Sequence, residues 1–100
     1  MAEFKCYHCS RLMITGDKFT FTKGGPIHLD CFISSRRMKV SESRVEELRL
    51  LSSVLESELE HLVLLISKKT ENEHLNRLIK SKIKEVEKAS GETTRLISDL

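Results

Sequence analysis

Tryptophan and glutamine are absent from this 100-residue chain, proline occurs once, and no aromatic residue follows Phe32. No apolar run exceeds the five residues Leu62 to Ile66, too few to span a bilayer, so a membrane protein is excluded. The three cysteines cannot all pair as disulfides, and nothing resembles a signal or transit peptide. A reduced, cytoplasmic setting follows, in which thiols stay free. Scarce amides beside abundant Lys and Glu suit a protein that works hot.

Catalytic equipment is missing as well. Gly24-Gly25-Pro26 is too short for a phosphate-binding loop and lacks its Lys-Ser/Thr. The His-x-Glu and Pro-Cys-x-x-Cys of nucleotide deaminases are absent, since the nearest match is His28-Leu29-Asp30. No nucleophile, base and acid form a set, so the chain is not expected to be an enzyme or to take a small-molecule substrate.

The chemistry present is concentrated in Cys6-Tyr7-His8-Cys9 and His28-Leu29-Asp30-Cys31. Each pair has a two-residue gap, which lets both members face one ion from a tight knuckle or a first helical turn. Cys6, Cys9, His28 and Cys31 make a Cys3His set, the donor arrangement of a single structural zinc ion. Ordinary buried thiols or a disulfide are the bland alternatives, but the paired spacing disfavours them. His8 is the alternative imidazole, although it sits within the knuckle and would leave Cys31 unpaired. His61 and His74 lie in helical sequence away from any cysteine and read as surface residues.

Around the ligands, Leu12-Met13-Ile14 is a short strand candidate, and Thr15-Gly16-Asp17 has turn chemistry. Lys18 to Thr22 alternates with period two and predicts a strand with Phe19 and Phe21 on its inner face. Gly24-Gly25-Pro26 turns the chain back, and a helix is expected from His28 to about Met38. Phe19, Phe21, Ile27 and Phe32 are expected to pack around the metal, with Asp30 supporting a ligand. Knuckle, β-hairpin and helix together predict a small zinc-bound α+β unit of treble-clef type.

The Cys-x2-Cys knuckle, Met13-Ile14-Thr15-Gly16 and the ending His28-Leu29-Asp30-Cys31-Phe32 resemble a LIM-type or poly(ADP-ribose)-polymerase-type zinc finger over residues 4 to about 37. The chain as a whole is similar to small archaeal proteins of unknown function that carry such a LIM-like finger. The second zinc site of a full LIM domain has no counterpart here. Eighteen residues separate Cys9 from His28, unlike the roughly twelve of Cys2His2 DNA-reading fingers.

Residues 41–100 change character. Val45, Leu48, Leu51, Leu55, Leu59, Leu62 and Ile66 form a helical stripe, with a candidate capping box at Ser43 and Glu46. Eight polar residues from Ser67 to His74 interrupt it, and Thr70 with Glu73 offers a second capping box, so a break is expected near 68–72. Leu75, Ile79, Ile83 and Val86 resume the stripe, and Gly91 is expected to end it, leaving a flexible end from about 91. The helices then form either a hairpin or one coiled-coil rod of roughly 45 to 70 Å. The reading divides the chain into a zinc module at 1–40 and a helical region at 41–100. From Leu48 to Val86 the stripe is expected to serve as an interface, for a homodimer or for docking on another protein.

Charge is unevenly distributed. Residues 1–44 hold eight Lys and Arg against four acids, while residues 45–100 hold nine against eleven. Lys18, Lys23, Arg36, Arg37 and Lys39 therefore form a second candidate surface, for RNA or DNA. The leading expectation is a non-enzymatic, zinc-folded interaction module. A nucleic-acid- or ribosome-associated factor is the alternative.

Overall fold

The computed structural model describes residues 4–100. Two short strands come first, β1 (Phe19–Thr22) and β2 (Gly25–His28), paired antiparallel with Thr20 opposite Ile27 and Thr22 opposite Gly25. Lys23 and Gly24 alone connect them, and Gly25 has a φ of +117°, a backbone region that strains any residue with a Cβ. Helix α1 (Leu29–Arg37) follows at once, then a 3-10 turn at Glu42–Arg44. Two long helices, α2 (Val45–Ser67) and α3 (Glu73–Ser98), complete the chain.

Ahead of β1, Leu12 makes a single antiparallel bridge to Lys5, so the expected strand at 12–14 shrinks to one paired residue. The face of β1 is also opposite to the one expected. Thr20 is buried, whereas Phe19 is half-buried and Phe21 is 54% exposed. The two phenylalanines meet Phe4 instead, with ring centroids 6.0 and 5.3 Å from it, in a cluster on the outer side. Ile27 and Phe32 do enter the core.

Helices α2 and α3 fold back on one another, which is the hairpin rather than the rod. The turn is closed by Asn72, whose Oδ1 accepts the Leu75 N–H at 3.2 Å. Thr70 is not the cap. Its hydroxyl accepts the Asn72 N–H, and its carbonyl accepts Asn76 Nδ2. Ser43 does not cap α2 either, because it lies within the 3-10 turn that leads into the helix.

Gly91 does not end α3, which runs through it to Ser98. The apolar stripe continues in disguise as Ser90, Thr93, Thr94 and Ile97, all buried. Each of the three hydroxyls donates to a carbonyl three or four residues back, at 3.0, 3.1 and 2.8 Å, so burial leaves none of them unsatisfied. This packing outweighs the cost of glycine within a helix, about 1 kcal/mol.

The C-terminal part of α3 lies against β1, where the Thr20 and Thr94 hydroxyls are 2.7 Å apart. Thr94 already donates to the Ser90 carbonyl, so Thr20 is the donor in this pair. Cys6, Ile27, Leu29, Phe32, Leu48, Leu55, Leu59 and Ile97 form one continuous buried cluster. The core therefore runs across the division drawn at residue 40 and joins both ends of the chain. Beyond this shared core the hairpin extends as two helices alone, and the molecule measures 50 × 26 × 18 Å.

Candidate metal centre

Three local structures bring the four donors together. In the knuckle, the Ser10 N–H donates to the Cys6 carbonyl at 2.8 Å, and Ser10 takes a φ of +67°, turning the chain sharply enough for Cys6 and Cys9 to face inward. The knuckle is tied to the hairpin by the Tyr7 N–H, which donates to the Pro26 carbonyl at 3.1 Å. His28 closes β2 and is the N-cap of α1, and Cys31 sits three residues on, in the first turn and on the same side.

The ligand atoms of Cys6, Cys9, His28 and Cys31 all lie within 4.8 Å of one another. A zinc ion with bonds of about 2.3 Å to sulfur and 2.0–2.1 Å to nitrogen needs donor separations of roughly 3.5 to 3.8 Å around a tetrahedron. The 3.3 Å between Cys9 Sγ and His28 Nδ1 is close to that edge. The donor set therefore fits a zinc ion. His8, the alternative imidazole, is exposed and lies outside the cluster.

The electrostatics point the same way. Burial alone would push the Cys6 thiol up, but the backbone N–H groups of Cys9, His28 and His8 stabilise its thiolate and bring it down to about 6. The Cys9 and His28 N–H groups each stand 3.5 Å from its sulfur. Cys31 moves the other way, pushed up to about 11 by burial and then by the neighbouring Cys9 and Cys6 sulfurs. Like charges in one small site resist the ionisation of a third thiol, and a divalent cation removes that resistance.

A carboxylate overlooked in the sequence supports the imidazole. Asp17 Oδ2 stands 3.5 Å from His28 Nε2 and accepts the Ile14 N–H at 2.9 Å. With Nδ1 facing the metal position, the ring proton belongs on Nε2, toward Asp17. Asp30, expected in this role, is exposed on the first turn of α1.

Residues 2–99 match the family described as an uncharacterized protein conserved in archaea (DUF2175). The chain belongs to this archaeal family. No curated protein and no solved structure matches it.

In this family member the basic residues singled out from the sequence separate. Lys23, Arg36 and Lys39 line one groove. Lys18 is engaged elsewhere, with Nζ 2.9 Å from Glu60 and 3.5 Å from Glu56 on α2. Arg37 lies on another side of α1, beside Leu48 and Arg49. Arg95, which reaches the Lys23 groove from α3, carries no signal in sequence because it is 56 positions beyond Lys39.

The expected helical interface also divides. Leu48, Leu55 and Leu59 are buried in the chain's own core and cannot belong to an intermolecular surface. The finger and α3 already cover this part of the stripe. Leu51, Leu62, Ile79, Ile83 and Val86 are half-buried, while Ile66 and Leu75 remain exposed near the hairpin turn. Among the described residues, no helix is long and apolar enough to cross a membrane.

Proposed function

We propose that the protein is a cytoplasmic, non-enzymatic binding module of LIM-like, treble-clef type. In this reading one structural zinc ion folds the N-terminal unit, and the far end of the helical hairpin docks onto a second copy of the chain. The closed donor set carries the first half. Four protein ligands leave zinc no position for water or substrate, so the ion serves as a staple. Replacing Cys31 by Ser tests this. The variant is expected to lose bound zinc and the folding energy that zinc supplies to residues 4–38. Unchanged zinc content and an unchanged melting temperature would sink the assignment.

The docking half rests on the exposed apolar residues Leu64, Ile66, Leu75 and Leu78 at the end of the hairpin. Two helices alone cannot enclose them, whereas two hairpins laid together form a four-helix bundle with an enclosed seam. The intact protein is expected to sediment as a dimer at micromolar concentration. The double variant Ile66→Glu, Leu78→Glu is expected to sediment as a monomer with its helicity retained. A monomeric wild-type protein would rule out self-association.

A further inference from the structure

A second site, whose lining includes neither the four metal donors nor the α2–α3 turn, lies on the N-terminal unit. A groove of about 500 Å³ runs between the β1–β2 turn, the end of α1 and the end of α3. Its volume falls within the roughly 300–1,000 Å³ of small-molecule sites. Four cations converge on it from separate segments: Lys23 from the hairpin turn, Arg36 and Lys39 from α1 and just beyond, and Arg95 from α3. Asp99 is the one carboxylate in its wall.

Basic residues often neutralise helix C-termini, and both α1 and α3 end at this groove. That role does not absorb the charge. Each helix end contributes about half a negative charge. With Asp99 added, the four cations still exceed the negative charge by about two. Among the described residues none of the four makes a salt bridge, in contrast to Lys18 with its two glutamates. Arg36 Nε is moreover buried without a hydrogen-bond partner. An N–H in that position costs stability unless an acceptor arrives.

Aromatic surface adjoins the cations. Phe21 is 54% and Tyr7 49% exposed, and both line the groove. Neither ring is loose. The Tyr7 hydroxyl lies 2.8 Å from Thr22 Oγ1, and the ring covers Gly24 so closely that a Cβ there would come within 2.9 Å of it. Phe21 stands edge-on to Phe19 and Phe4. Fixed, half-exposed rings beside unpaired cations match the requirements of a nucleotide unit, with a base on the rings and phosphate on the cations.

We infer that this groove binds single-stranded nucleic acid, taking one nucleotide between Phe21 and Tyr7 and gripping the flanking phosphates with Lys23, Arg36, Lys39 and Arg95. A strand suits it better than a free nucleotide because the groove is about half open to solvent and gathers four cations, more than one phosphate needs. The site is independent of hairpin-mediated dimerisation.

The test is fluorescence anisotropy of the zinc-loaded, full-length protein with a labelled oligouridylate and with oligothymidylate. Affinity is expected to fall roughly 20- to 50-fold between about 50 and 200 mM salt if three or four phosphates are contacted. Lys23→Ala and Arg95→Ala, both at exposed positions, should each lower the log–log salt slope by about 0.7. Phe21→Ala should weaken binding roughly 5- to 150-fold with little change in that slope. Lys18→Ala and Arg37→Ala remove the same charge outside the groove and should leave affinity unchanged. No binding at low salt, or equal losses from Lys18→Ala and Arg95→Ala, would overturn the inference. Uridine monophosphate competing as well as the oligomer would overturn the choice of a strand.

Discussion

At the scale of single residues, the metal ligands and their support differ in how visible they are. Cys6, Cys9, His28 and Cys31 stand out because ligand chemistry dictates both residue type and local spacing. Asp17 does not, since an aspartate after Thr15-Gly16 reads as a turn residue whether or not an imidazole faces it. Its carboxylate nevertheless serves both the turn and the His28 ring. Asp17→Asn is therefore expected to weaken zinc binding about 10- to 100-fold, measured by competition with a chromophoric chelator. Unchanged affinity would show that the contact is incidental. Cys6 keeps its thiolate to lower pH than Cys31, whose thiol is pushed up to about 11. The Cys6 thiol lies at about 6, below the ordinary 9.0, so the stabilisation from its thiolate is complete above pH 9 and fades as pH falls through 6. The metal-free protein is expected to lose stability steadily as pH falls from 9 to 6, read from urea unfolding across that range. Stability that does not change over this interval would contradict a depressed Cys6 thiol.

At the scale of elements, period and breakers announce the strands and the helices, but not which way they face or how far they run. The alternation Phe19-Thr20-Phe21 marks a strand correctly, yet period two is the same whichever face is buried. Thr20 faces inward because a hydroxyl partner waits for it on α3, 74 residues away, and no local pattern encodes that. The same partnership hides the end of α3. An apolar stripe that passes through Ser90, Thr93 and Thr94 looks finished after Val86, because hydroxyls satisfied within their own helix still read as polar letters. Gly91 strengthens the false impression. The distinguishing experiment is Ile97→Ala. A frayed tail would tolerate it, whereas a fully buried Ile97 implies a loss of about 2 to 5 kcal/mol, read from urea unfolding.

At the scale of the whole molecule, the contrast between a basic front and an acidic rear is real in sequence but is rearranged in space. Lys18 finds Glu56 and Glu60 on α2, which ties the two parts together and removes one cation from the basic surface. Arg95 crosses in the other direction and joins Lys23, Arg36 and Lys39. The buried cluster likewise takes Cys6 and Ile27 from the front and Leu48, Leu55, Leu59 and Ile97 from the rear. An apolar face wide enough to suggest an external partner is thus largely covered by the chain itself near the metal. It stays uncovered at Leu50 and Val54 and, where the hairpin outruns the N-terminal unit, around Leu64, Ile66, Leu75 and Leu78.

The contact between Thr20 and Thr94 also sets an order of events during synthesis. All four candidate metal ligands have been made once residue 31 is added, well before α3 is written. The cover over β1 belongs to the C-terminal part of α3, and closing it joins segments 74 positions apart. Until then one side of the β-hairpin is bare. The loop that must close spans 74 positions, and contacts of such long range form more slowly than local ones. Residues 90–97 thus act as the latch that covers β1.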